Sequence, residues 1–270
     1  MRRRLRSVLV VAFAAAAGLL AVPGTASAAP TTIGYDVSYP QCRTDLPADR
    51  PFAVVGVNGG LSTKVNPCLA EQLSWASRSS GAVPEQPRVK LYLNTANPGE
   101  VRTQVETWPT VGLTPYGRCD GDNTMACSYR YGWQRATISV DFFETGAEDA
   151  RLDESVSRYM WWLDVETMNT WQSGSAEALA RNRATLEGMT DYLDYRGAEV
   201  GLYSTNYQWN EIVGSVPDDS SLAGLPSWLA GASSISGARA NCSRPALVPD
   251  GTVTMTQYVS DDWDRNHSCD

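Results

Sequence analysis

The chain has 270 residues, with 22 basic and 30 acidic side chains, a net charge of −8, six cysteines and a single histidine. An acidic balance excludes a reader of phosphate backbones, which needs a basic face, so nucleic acid is not an expected partner. One histidine and the absence of any Cys-x-x-Cys exclude an ordinary zinc site. Asn58-Gly59-Gly60 lacks the lysine and spacing of a phosphate loop, and no Gly-x-Ser-x-Gly elbow occurs, so no cofactor and no serine triad are implied.

Residues 1–28 read as a secretory signal peptide. Arg2, Arg3, Arg4 and Arg6 precede an apolar stretch, 7–22, that Pro23-Gly24 breaks, and Ala26-Ser27-Ala28 supplies a small-x-small cleavage site. The apolar run, about 16 residues, is short for a membrane span and no stop-transfer pattern follows it. No membrane contact is therefore expected after cleavage, and the Arg cluster leaves general or twin-arginine export open. Removing the four leader arginines leaves 18 basic residues against 30 acids, net −12, over residues 29–270. About 240 residues suit one domain, and one (β/α) barrel fits that length. In an exported chain six cysteines read as disulfides, with 15 possible pairings. The local ones are expected: Cys42 with Cys68, Cys119 with Cys127, and Cys242 with Cys269. No feature asks for an oligomer, so a monomer is expected, secreted into the medium or held at the cell wall.

In chain order, β-rich runs fall at 33–38, 52–57, 89–94, 160–166, 199–204, 227–230 and 253–258. Helical patterns occupy 67–79, 129–146 and 176–195. The last follows Ser173-Gly174-Ser175, where a serine can cap, and stops at Arg196-Gly197. Residues 119–127 enclose Asp120-Gly121-Asp122-Asn123 and read as a turn-rich loop pinned by its own bridge. Strands alternating with helices specify mostly parallel pairing, hence an α/β barrel of TIM type. Seven strands are evident; an eighth must be weak or irregular.

The chemistry concentrates in Trp161-Trp162-Leu163-Asp164-Val165-Glu166. On a strand, residues two apart share a face, which puts the Asp164 and Glu166 Cβ atoms roughly 7 Å apart. Two acids at one spot are unfavourable unless a metal, an ion partner or acid/base chemistry uses them. Exposed surface is the usual fate of charge, but the flanking Trp-Trp-Leu marks this strand as buried on both faces. Calcium is disfavoured because no EF-hand spacing is present. Asp36 ends the first strand, Asn94 the third, and Gln257 with Tyr258 the last. Strand carboxyl ends of a barrel converge on one face, so Asp36, Asp164 and Glu166 should share a pocket. Most tryptophans are expected in the core, whereas Trp263 and Tyr203 could offer flat faces to sugar rings. His267 reads as part of a polar surface tail rather than a base.

The ordered set Gly34-Tyr35-Asp36-Val37-Ser38, Phe52-Ala53-Val54-Val55-Gly56-Val57, Leu163-Asp164-Val165-Glu166, Val200-Gly201-Leu202-Tyr203-Ser204, Trp228-Leu229-Ala230 and Thr256-Gln257-Tyr258 resembles the family-25 glycoside hydrolases, the lysozyme-like muramidases. It is closer still to secreted actinobacterial proteins with a glycoside-hydrolase-like domain. The resemblance implies an irregular eight-stranded barrel with fewer helices than strands, and a peptidoglycan substrate cut after N-acetylmuramic acid. It also implies Glu166 as general acid, Asp164 as the group that positions or stabilises the 2-acetamido function, and Asp36 as a further acid. Asp264, in Asp264-Arg265-Asn266, matches a late acidic element of the family. Asp264, Asn94, Tyr203, Gln257 and Tyr258 would then contact substrate. The chain departs from the family at Gly56-Val57-Asn58-Gly59-Gly60, where a Lys-x-Thr/Ser-Glu-Gly element is usual, and at Asn94, where a histidine usually stands. The expected function is a carboxylate-based hydrolase of a peptidoglycan-type polysaccharide, with substrate assistance by the acetamido oxygen a recognised route for N-acetylated sugars. The alternative is a glycan-binding protein of the cell wall that uses the same barrel without cleavage.

Overall fold

The computed structural model describes residues 32–269; the leader read at 1–28 lies outside the described residues. Eight strands close into a barrel, numbered here β1 (Ile33–Val37), β2 (Ala53–Gly56), β3 (Val89–Asn94), β4 (Met160–Asp164), β5 (Glu199–Ser204), β6 (Ser227–Ala232), β7 (Val253–Ser260) and β8 (Trp263–Ser268). Each strand pairs with its neighbour in sequence, and β8 returns to β1. All pairs are parallel except the two made by β8.

The turn explains that exception. Ser260 pairs with Trp263, leaving only Asp261 and Asp262 between the strands, and these adopt φ of 51° and 63°. Two residues cannot make a crossover, so the strand must return antiparallel, and positive φ at both central positions is the primed turn that suits hairpin twist. Arg265 Nη2 bonds Asp261 Oδ2 at 2.7 Å across the same corner. The segment read as a polar tail around His267 is therefore the eighth strand, with His267 opposite Ile33 and Thr256.

Among the described residues, five α-helices pack outside: α1 (Leu69–Ser77), α2 (Met125–Ala150), α3 (Ala176–Tyr195), α4 (Asn206–Ile212) and α5 (Ile235–Asn241). The expected 129–146 helix runs longer at both ends. Thr124 caps it by accepting from Cys127 N–H, as Ser175 caps α3 by accepting from Ala178 N–H; each such cap is worth about 1 kcal/mol. Helices α2 and α3 cross at two glycines: a Cβ on Gly132 would lie 1.9 Å from the Thr185 carbonyl oxygen, and one on Gly188 2.1 Å from that of Tyr129. Only glycine permits backbones this close. The three disulfides are Cys42–Cys68, Cys119–Cys127 and Cys242–Cys269. Among the described residues no helix is long and apolar enough to cross a membrane.

Strand β4 is buried at every position. Its period-2 alternation splits the core: Trp161 and Leu163 point outward to the helices, where Phe143 meets Trp161 edge-on at 5.1 Å. Met160 and Trp162 point inward with Phe52, Val54, Tyr203, Trp228 and Met255. By the same alternation Asp164 stands on the inner face, directly beyond an aromatic floor.

Candidate active site

The barrel mouth holds a cleft of about 620 Å³ lined by Asp36, Asn58, Tyr92, Asn94, Asp164, Glu166 and Asp264, among others. A deeper lobe of about 280 Å³ shares Asp36, Tyr92, Asp164, Glu166 and Asp264, and adds Tyr203, Trp228 and Gln257. Four carboxyl groups from three strands and one strand exit thus meet in one place. Among the described residues, no lysine or arginine lines either lobe. Glu166 lies two residues beyond the end of β4, so the strand is shorter than the 160–166 run suggested. Val165 N–H still donates to the Tyr203 carbonyl at 2.9 Å, which carries the extended direction past Asp164 and keeps both acids on the cleft.

Asp36 is fixed by amides. Asn266 Nδ2 donates to its Oδ2 at 2.7 Å, and Gln257 Nε2 lies 3.2 and 3.1 Å from its two oxygens. Gln257 is held in turn by the Tyr203 hydroxyl, which donates to Gln257 Oε1 at 2.7 Å. Asp164 is differently placed: its Oδ1 is buried and has no hydrogen-bond partner among the described residues. A buried acceptor without a donor is costly, by about 1–3 kcal/mol, unless a ligand completes it.

The protons follow burial. Desolvation first, then the Asp264 charge, raises Asp36 to about 7, against the opposing donation of Asn266 and Gln257. Desolvation, with the charges of Glu166 and Asp36 behind it, pushes Asp164 well above the usual carboxylate range. Glu166 is raised by desolvation and by Asp264, and Asp264 by desolvation. Tyr92 and Tyr203 are pushed well up by burial, so both hydroxyls stay protonated beside the acids. Clustered acids cannot all ionise together, and the group retains protons well above the ordinary carboxylate range.

Tyr92 was not singled out from sequence, although it stands two residues before Asn94 and must share its face. Gly56 makes room for it: a Cβ there would lie 2.5 Å from the Tyr92 ring. Asn266 was missed likewise, two positions after Asp264. Asn94 lines the cleft, but its side chain donates to the Gly60 carbonyl at 2.6 Å, and its N–H donates to Asn58 Oδ1 at 2.7 Å. It braces the 58–62 loop as much as it faces ligand.

Two expectations do not hold. Tyr258 does not line the cleft; Gln257 points inward, so its neighbour points out, on the side where Thr256 bonds the Ala238 carbonyl of α5. Trp263 is no platform in the cleft; it packs edge-on against Tyr35 with centroids 6.2 Å apart.

Fold and site together define a mostly parallel α/β barrel with an acidic cleft at the carboxyl ends of its strands. Residues 149–239, which hold Asp164, Glu166, Tyr203 and Trp228, match the family model described as Lysozyme-like protein 1. The resemblance to lysozyme-like proteins read from the motifs therefore stands. Lysozyme-like protein 5 of Caenorhabditis elegans is 42% identical over 53 residues, which cover 20% of this chain and 22% of that protein. The chain thus spans less than a quarter of the length of that curated relative. The solved muramidase from Trichobolus zukalii aligns with a TM-score of 0.49 and 16% identity, over 88% of this chain and 93% of that one. The bacterial lysozyme from Streptomyces coelicolor aligns with a TM-score of 0.48 and 18% identity, over 88% and 91%.

Proposed function

We propose that this protein is an exported glycoside hydrolase that cleaves a peptidoglycan-type polysaccharide by carboxylate chemistry. The observation that carries this reading is the convergence of Asp36, Asp164, Glu166 and Asp264 on one cleft that no described basic side chain lines. Glycoside cleavage needs a proton donor for the departing oxygen and a second carboxylate to stabilise charge at the anomeric carbon. Glu166, partly exposed and with its pKa raised by burial and then by Asp264, is the donor, and it reaches the open part of the cleft.

Asp164 receives the other role. In the free cleft its burial favours the protonated form. An acetamido N–H donated to the unpartnered Oδ1 would lower that pKa, and would aim the acetamido oxygen at the anomeric carbon. Substrate assistance then supplies the nucleophile, and Asp164 stabilises the cationic ring that forms. Asp36, clamped by two amides, holds the inner wall and tunes the charge around it. Tyr92, Tyr203 and Trp228 give the sugar an apolar floor. Three disulfides suit the oxidising space outside the cell where such a polymer lies.

Purified peptidoglycan tests the reading. The wild type should lower its turbidity and release reducing ends, and Glu166→Gln should bind the polymer without doing either. Binding by the wild type with no release of reducing ends would overturn catalysis on this polymer and leave a glycan-binding protein.

A further inference from the structure

A second cavity, also about 620 Å³, lies away from the acids between the 106–111 segment and the middle of α2. Its lining includes Trp108, Trp133, Arg130 and Arg135. Arg135 is only 4% exposed, and its Nε is buried with no hydrogen-bond partner among the described residues; Arg130 Nε is in the same condition. No carboxylate lies within ion-pair distance of either arginine among the described residues, although acids outnumber bases. Glu106, also on the lining, is exposed.

Arg50 is the comparison: its Nε is also buried without a partner among the described residues, but the rest of its guanidinium is satisfied. Arg50 is 5% exposed and stacks on Trp75 at 4.2 Å. Its guanidinium donates to the carbonyls of Pro47, at 2.9 Å, Ala48, at 2.8 Å, and Trp75. Arg135, by contrast, has an aromatic partner, with its guanidinium 5.4 Å from the Tyr131 ring. A ring face accepts the charge but offers no oxygens to the fork of N–H groups. Leaving the buried Nε–H groups of both arginines without acceptors is unfavourable, and an oxyanion repays it with charge-assisted bonds to the fork.

We propose that this cavity is an oxyanion-binding site in which Arg135 and Arg130 grip a carboxylate or phosphate group, with Trp133 and Trp108 beside the atoms that carry it. The assignment is independent of the cleft's chemistry. It also has a structural link to the cleft: Tyr131, under the Arg135 guanidinium, donates through its hydroxyl to the Leu61 carbonyl at 2.7 Å, and Leu61 lines the acidic cleft.

Titrating the purified protein with inorganic phosphate, and separately with an N-acetylated dipeptide bearing a free carboxylate, tests this against sodium chloride of equal ionic strength. Thermal shift and the NMR resonances of arginine Nε–H report binding. One or both anions should raise the melting temperature and move two arginine Nε–H signals, and the arm that responds identifies the group. Arg135→Gln and Arg130→Gln should each weaken that response by roughly tenfold or more, as loss of a charge-assisted pair requires. Arg118→Gln, at an exposed arginine, should leave it unchanged. Should Arg135→Gln fail to fold, Arg130→Gln and Arg135→Lys carry the test, the latter keeping the charge but losing the fork. Responses equal to chloride in both arms, or undiminished in the Arg130 and Arg135 variants, would overturn the proposal.

Discussion

The two ends of the barrel interior both bury ionisable groups, and they do so with opposite consequences. At the mouth four carboxyls crowd an open cleft. At the base Lys90, 1% exposed, stands apart from them: its Nζ lies 4.1 Å from the centre of the Phe52 ring and 3.3 Å from Met255 Sδ, and donates to Gln86 Oε1. Gln86 Nε2 donates in turn to the Thr254 carbonyl at 3.0 Å and to Ser268 Oγ at 2.9 Å, so the polar plug is tied to β7 and β8. Burial lowers the Lys90 amine well below its ordinary value. The base is satisfied and closed, whereas the mouth leaves Asp164 Oδ1 without a described partner and open to a ligand. Desolvation alone does not mark a functional site; desolvation with an unmet hydrogen bond and access does.

The sharpest break of this contrast is Glu166→Gln. It removes the proposed proton donor and should lower turnover by about 10²–10⁴-fold with little change in polymer binding, read by reducing-end release beside a pull-down on insoluble peptidoglycan. Because Glu166 must be protonated to act and its pKa is raised, activity should fall as pH rises through that raised value. Loss of activity on acidification alone would contradict the assignment.

The two ends should also give stability slopes of opposite sign. Asp36 binds its proton more tightly folded, about 7, than at its ordinary 3.8, so the folded state holds more protons and stability falls as pH rises between those values. Asp36→Asn should flatten that fall by a few kcal/mol, since each tenfold gain in proton affinity on folding is worth about 1.4 kcal/mol, measured by denaturant titration at successive pH. Lys90 is the reverse case. Its folded pKa lies below the unfolded one, so the unfolded chain holds more protons and stability rises with pH in the window below 10.5. Lys90→Met should abolish that rise. Its net effect at neutral pH should stay within about 2 kcal/mol, because the relief of desolvation is offset by leaving Gln86 Oε1 without its donor. The smallest change is Tyr203→Phe, which removes the hydrogen bond to Gln257 and should cost about 1 kcal/mol while loosening the Asp36 clamp.

Much of this was legible in the chain itself, wherever burial and alternation reinforce each other. Seven strands announce themselves through β-branched and aromatic runs, and three of the acids fall at or just past strand ends, where parallel topology must gather them. The eighth strand, Trp-Asp-Arg-Asn-His-Ser, carries mostly polar residues. Asp264 faces the cleft and Asn266 clamps Asp36, so the strand lacks the apolar face that periodicity detects. Gln257 and Tyr258 adjoin in sequence, but strand alternation turns only Gln257 into the cleft. Tyr92 was overlooked because an aromatic on a buried strand looks like core until Gly56, two strand positions from Val54, is seen to open a slot for it.

The strand that closes the barrel is also among the last described parts of the chain, and Cys269 just beyond it is bridged to Cys242. Asp264 and Asn266 arrive only with it. Without residues 263–268 in place, β1 and β7 present open edges, Asp36 lacks one of its clamps, and the acid cluster is one member short. Completion of the cleft therefore waits on the pairing of this one strand with both of its neighbours. The pocket is thus a property of the closed barrel and not of any single segment.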